Sequence, residues 1–104
     1  MNFKTFSLGT ALCIAVLGSG IASAGQELAQ QKGCLACHKV DMKIVGPSFK
    51  DIAAKYKGDD AAPAMLSTKI REGGSGNWGQ VPMPANPAVT EDEANALAEW
   101  VLAQ

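Results

Sequence analysis

Apolar residues recur along the chain with a helical period. From Phe49 they fall at Phe49, Ile52, Ala53 and Tyr56, the i, i+3, i+4, i+7 stripe of an amphipathic helix, and Gly58 stops it. Gly46-Pro47 breaks the chain just before, with Pro47 suited to a first helical turn. Asp59 and Asp60 then open a second stripe from Ala61 to about Glu72, with Met65, Leu66 and Ile70 facing inward; carboxylates at a helix start suit the helix dipole. Thr90 and Glu93 form a capping box ahead of Ala94, Leu97, Ala98, Val101 and Leu102. Upstream, 26–32 is rich in helix formers, with Leu28 and Ala29 apolar, and leads through Gly33 to Leu35. Between Gly73 and Pro87, glycines and prolines forbid helix, no strand alternation is visible, and the embedded Trp78 argues for a loop docked on something. The prediction is an all-α domain of about four short helices.

The first residues follow another rule. Lys4 precedes an uncharged apolar run, Leu8 to Leu17, and Ala22-Ser23-Ala24 supplies an A-x-A ending. That is the form of a secretory signal peptide, residues 1–24, cut after Ala24, and it implies export to the periplasm. An uncleaved anchor is the alternative, but the strongly apolar part is short for a span of ~20 residues and is diluted by Gly18, Ser19, Gly20 and Ser23. Of the 104 residues, 25–104 then form the single domain, with no stable membrane insertion after processing. Without Lys4 this domain carries 8 basic and 10 acidic side chains, too even a balance to imply nucleic acid. A chain this short usually needs a staple, because below ~70 to 80 residues a purely proteinaceous core seldom supplies enough stability.

Cys34-Leu35-Ala36-Cys37-His38 offers that staple. C-x-x-C-H is the pattern of c-type haem attachment. In a helix the thiols at i and i+3 and the imidazole at i+4 emerge on one side, so two thioethers and one axial ligand reach the same flat ring. A thioredoxin-like redox pair would want a βαβ setting, and zinc would want four ligands where the motif has three. Cys13 lies in the expected signal peptide, and the domain has no further cysteine.

The opposite axial position decides the chemistry: an open site binds small ligands or activates oxygen, whereas two strong protein ligands leave iron to pass electrons. His38 is the only histidine, so the second donor is not an imidazole of this chain. A lysine would first have to lose a proton. Met42 lies four residues beyond His38, too near to reach the far face, and Met65 falls in a packing stripe, where methionine is usually core material. Met83, between Pro82 and Pro84, has ample chain to travel round a macrocycle and is the expected donor, with Met65 the alternative.

Lys32-Gly33-Cys34 to His38, Val45-Gly46-Pro47, Trp78-Gly79, Val81-Pro82-Met83-Pro84 and Ala98-Glu99-Trp100-Val101-Leu102 together resemble the small class I bacterial cytochromes c, the c-551/c-552 group, over residues 25–104. The resemblance implies the cytochrome c fold, with its helices around one haem c bound through Cys34 and Cys37 and ligated by His38 and Met83. It also implies that the Pro47 carbonyl accepts the other ring proton of His38, that Trp78 and Lys69 meet a haem propionate, and that Asn86 bonds near the Met83 sulfur. Related proteins can place arginine at the position of Lys69, and Pro87 adds a residue after Asn86 relative to some members. The implied function is that of a monomeric periplasmic electron carrier and not an enzyme. Its partners would be redox proteins, a donor such as a quinol-oxidising complex and an acceptor such as a nitrite reductase or terminal oxidase. Lys32, Lys39, Lys43 and Lys50 lie near the motif, where they would either steer an acidic partner or form an ordinary solvated face. A haem peroxidase, a gas sensor or a haem-delivery module would instead require an open or labile iron site.

Overall fold

The computed structural model describes Gly9 and residues 19–104. Most of the expected signal peptide lies outside the described residues. Four α-helices dominate: α1 (Ser19–Gln31), α2 (Phe49–Lys55), α3 (Ala62–Glu72) and α4 (Glu91–Leu102). Two short strands, β1 (Gly74–Gly76) and β2 (Gly79–Met83), pair antiparallel between α3 and α4.

Helix α4 is the central element and packs against α1, α2 and α3. Its capping box is formed in both directions: the Glu93 amide donates to Thr90 Oγ1 at 3.2 Å, and the Thr90 amide donates to Glu93 Oε1 at 3.0 Å. Ala94, Leu97, Ala98 and Val101 are buried as their spacing predicts, while Leu102 is only partly so. Trp100, three residues past Leu97, joins the buried face. Gly25 of α1 lies so close under Trp100 that a Cβ there would overlap the indole. This contact, with the fully buried Ala29, seats α1 on α4.

Three boundaries differ from the sequence expectation. Helix α1 starts at Ser19, not at residue 26, and crosses Ala24 and Gly25 without a break. Pro47 is outside α2: Ser48 is extended and caps it, its Oγ accepting the Asp51 amide at 3.1 Å, so Pro47 keeps a carbonyl free for another partner. The hairpin replaces a structureless loop between Gly73 and Met83. It escaped the sequence pattern because both faces are largely exposed, leaving no alternation, and because the ladder shifts register between Gly74 and Gly76, which have φ of 133° and 111°.

The chain between the cysteine motif and α2 is a closed loop. Gly46 N–H donates to the Cys37 carbonyl at 2.8 Å, and the Phe49 and Lys50 amides donate to the carbonyls of Lys39 and Val40 at 2.9 and 3.0 Å. First-turn amides have no partner inside their own helix, so α2 satisfies them with the backbone that follows His38.

A candidate haem site between the cysteine motif and the Met83 strap

A cavity of about 460 Å³ opens between α2, α3, α4, the cysteine motif and the hairpin. Its size falls within the range of about 300–1,000 Å³ usual for cofactor sites. Cys34, Cys37, His38 and Met83 all line it, as do Pro47, Lys69 and Trp78. The walls are mostly apolar, with Phe49, Ile52, Leu66 and Leu97 serving both the cavity and the core.

Cys34 begins a 3-10 turn, Cys34–Ala36, in place of the α-helical turn the spacing suggested. Gly33 initiates it with φ 76°, a left-handed conformation that glycine adopts without a Cβ penalty. Both thiols still face one cavity, and neither is in a disulfide. Burial pushes the Cys34 thiol above its ordinary pKa.

His38 is held on several sides. Its Nδ1 lies 2.7 Å from the Pro47 carbonyl, which can only accept, so the proton is on Nδ1 and the Nε2 lone pair is free for a metal. Gly46 passes so near that a Cβ there would collide with the imidazole. On the ring face, Phe49 stacks at a centroid distance of 5.3 Å and an interplanar angle of 23°. The sequence places Phe49 in the apolar stripe of α2, among the residues expected to bury the haem, but its spacing gave no sign of this contact.

Met83 ends β2 and enters the strap 83–87. Gly73 has φ 71°, and a Cβ there would run into the Met83 carbonyl and Pro84, so glycine is what allows the strap to lie against the end of α3. Asn86 bonds to the same helix end: its Nδ2 donates to the Ile70 carbonyl at 2.8 Å and its amide to the Arg71 carbonyl at 3.1 Å. Asn86 is therefore an anchor of the strap and does not line the cavity. Met42 is exposed and also off the cavity wall, whereas Met65 lines it together with Met83.

Trp78 is 42% exposed at the cavity rim. Lys55 Nζ lies 4.5 Å from its ring centroid, a contact between distant segments that no local pattern signals. Lys69, in the last turn of α3, also reaches the rim; a Cβ on Gly74 would stand 2.9 Å from its Nζ. Of the lysines near the motif, Lys32 is engaged, paired with Glu93 at 3.3 Å and donating to the Ala88 carbonyl at 3.2 Å. Lys39, Lys43 and Lys50 are exposed. Among the described residues, no group of three or more His, Cys, Asp or Glu side chains is placed to hold a metal ion.

Two adjacent thiols, an imidazole with Nε2 free and an apolar slot of cofactor size fit a covalently held haem c. The cytochrome c family model matches residues 22–104, and the chain belongs to that family. It is 50% identical over 99 residues to cytochrome c-552 of Nitrosomonas europaea, covering 95% of this chain and 96% of that one. It is 59% identical over 78 residues to cytochrome c-551 of Azotobacter vinelandii, covering 75% and 94%. The crystal structure of wild-type Nitrosomonas europaea cytochrome c552 superposes with a TM-score of 0.73 at 51% identity, covering 75% of this chain and 96% of that one. The chain is thus a small class I cytochrome c with one covalent haem c attached through Cys34 and Cys37, an electron carrier and not an enzyme.

Proposed function

We propose that the protein is a periplasmic carrier whose iron is ligated by His38 and Met83 and which exchanges single electrons with respiratory redox proteins. The observation that carries this reading is the shared cavity, in which an imidazole with its Nδ1 proton committed to Pro47 and a methionine on a separate strap border one slot. Bound haem c supplies the one-electron Fe(II)/Fe(III) couple. The chain's part is to orient and shield. Pro47 fixes the His38 ring and its tautomer, the strap delivers a soft thioether from Met83, and Phe49, Ile52, Leu66 and Leu97 exclude water. Thioether ligation and burial both disfavour ferric charge and hold the potential up.

Trp78 and Lys69 stand at the rim, where an indole N–H and an ammonium suit a propionate. Asn86 acts on Met83 indirectly, by anchoring the strap to α3. Val45 and Val81 line the cavity yet are 54% and 66% exposed, and they offer a redox partner a small apolar docking patch of the kind used in transient encounters. The partner classes are a quinol-oxidising donor and an acceptor such as a nitrite reductase or terminal oxidase.

Export rests on residues 1–24 acting as a signal peptide. The family match begins only at residue 22, and three-quarters of this chain spans 96% of the crystallised relative, which supports removal of the leading segment. No helix among the described residues is long and apolar enough to cross a membrane. Mass spectrometry of the secreted protein should find Gly25 at the N-terminus; an intact Met1 rejects processing.

The ligation is tested by absorption spectra of both redox states with a potentiometric titration. M83A should lose the methionine-to-ferric-iron charge-transfer band while M65L keeps it; the reverse result would transfer the ligand to Met65, which also lines the cavity. Rapid binding of cyanide or carbon monoxide at neutral pH would replace a closed site with an open one.

A further inference from the structure

Phe49 is 4% exposed and touches two rings. One face stacks on His38, with 5.3 Å between centroids and 23° between planes. Trp100 meets it edge to face, with 5.0 Å between centroids and a 70° angle. Both separations fall within the range of about 4.5–7 Å at which aromatic pairs attract. The Phe49 backbone is fixed as well, its amide donating to the Lys39 carbonyl at 2.9 Å, one residue beyond His38. Two residues before Phe49, the Pro47 carbonyl lies 2.7 Å from His38 Nδ1.

A single hydrogen bond to Nδ1 sets where one ring atom points but leaves the imidazole free to roll about that bond. A stacked ring removes this freedom, because rolling would drive the imidazole edge into the Phe49 face. Gly46 bars a further escape, since even the space of a Cβ beside it is already taken by the His38 ring. Trp100 in turn fixes the tilt of Phe49, and Trp100 is seated over Gly25 in the α1–α4 crossing.

We propose that Phe49 is a positioning residue that sets the plane of the His38 imidazole and relays to it the packing of α4 through Trp100. This rests on the reading of His38 as the axial ligand. With haem bound, the orientations of the two axial ligands would together set the spread of the paramagnetically shifted ring-methyl resonances, so with the methionine unchanged a turned imidazole would alter that spread.

The test is proton NMR of the ferric holo-protein as wild type, F49L and F49Y, with absorption spectra and circular dichroism as controls. F49L should keep native helicity and the methionine charge-transfer band but change the order or spread of the ring-methyl shifts, whereas F49Y, which retains the stacked ring, should restore the wild-type order. Wild-type order in F49L, or an equal change in F49Y, would overturn the proposal and leave Phe49 a packing residue. If F49L does not accumulate, W100L decides: it keeps Phe49 but removes the edge that holds it, and it should shift the methyls in the same way, with wild-type order again counting against the role. Failure of the underlying reading looks different, because wild-type protein would then lack the spectrum of a low-spin iron bound by histidine and methionine.

Discussion

Lys55 Nζ lies 4.5 Å from the ring centroid of Trp78 and donates a 2.7 Å hydrogen bond to the carbonyl of the preceding residue, Asn77. The same ammonium stands 5.6 Å from the ring centroid of Tyr56, its neighbour at the end of α2. One flexible side chain thereby closes α2 onto the hairpin across the cavity rim. Exposed cation–π contacts contribute about 0.5–1 kcal/mol, and K55M should cost the holo-protein a comparable amount. Denaturant titration followed by tryptophan fluorescence measures it, with K57M, exposed and next but one in sequence, as the control. Equal midpoints for the two variants would mean that the latch contributes nothing.

Gly73 makes a sharper prediction. Its φ of 71° and the crowding of its would-be Cβ against the Met83 carbonyl and Pro84 mean that alanine must move either α3 or the strap. Replacing glycine where φ is positive reverses the usual gain of about 0.4–1 kcal/mol from Gly→Ala and destabilises by more than that amount. The strap carries Met83, so G73A should also weaken the methionine-to-iron charge-transfer band. A variant with both stability and band intact would show that the strap bends freely.

The helices and the haem-attachment motif were legible in the sequence because both follow short-range rules. Phe49, Ile52 and Tyr56 announce one face of α2, Thr90 and Glu93 announce the start of α4, and Cys34, Cys37 and His38 are local by construction. The hairpin was not legible, since its largely exposed glycine-rich strands carry no alternation. Neither was the stack of Phe49 on His38, nor that of Lys55 on Trp78; both join segments that meet only when the loop after His38 closes and the hairpin folds back. Asn86 shows a middle case. Its place beside the Met83 strap was anticipated, but its side chain spends a donor on the Ile70 carbonyl, which only the fold reveals.

Glu93 predicts a pH dependence. The hydrogen bond from the Thr90 backbone, reinforced by Lys32, holds its carboxyl below the usual glutamate range. A depressed folded-state pKa means the folded chain binds the proton less readily than the unfolded one. The stabilisation is therefore fully present above the ordinary glutamate pKa and disappears as pH falls through the depressed value. E93Q should lower stability at neutral pH and flatten the acid limb of a stability–pH profile, leaving the two proteins alike in strong acid. T90A removes the partner cap and should cost about 1 kcal/mol near neutrality. Parallel acid limbs for wild type and E93Q would show that Glu93 is not linked to folding.

Haem removal should have the largest effect. Phe49, Ile52, Leu66 and Leu97 are core residues that also form the cavity wall, so an empty slot would open the core itself. Core voids cost about 24 cal/mol per Å³, and even a fraction of that over about 460 Å³ rivals the total stability of a small domain, about 5–15 kcal/mol. Water entering the open side lowers the penalty but leaves apolar walls wet. C34A/C37A protein, or wild type made in a host unable to attach haem, should therefore be largely unfolded by far-UV circular dichroism and should show no cooperative thermal transition. A cooperative helical apo-protein would place the stability in the helix contacts alone, those of α4 with α1, α2 and α3, and would reduce the haem from a structural staple to a passenger.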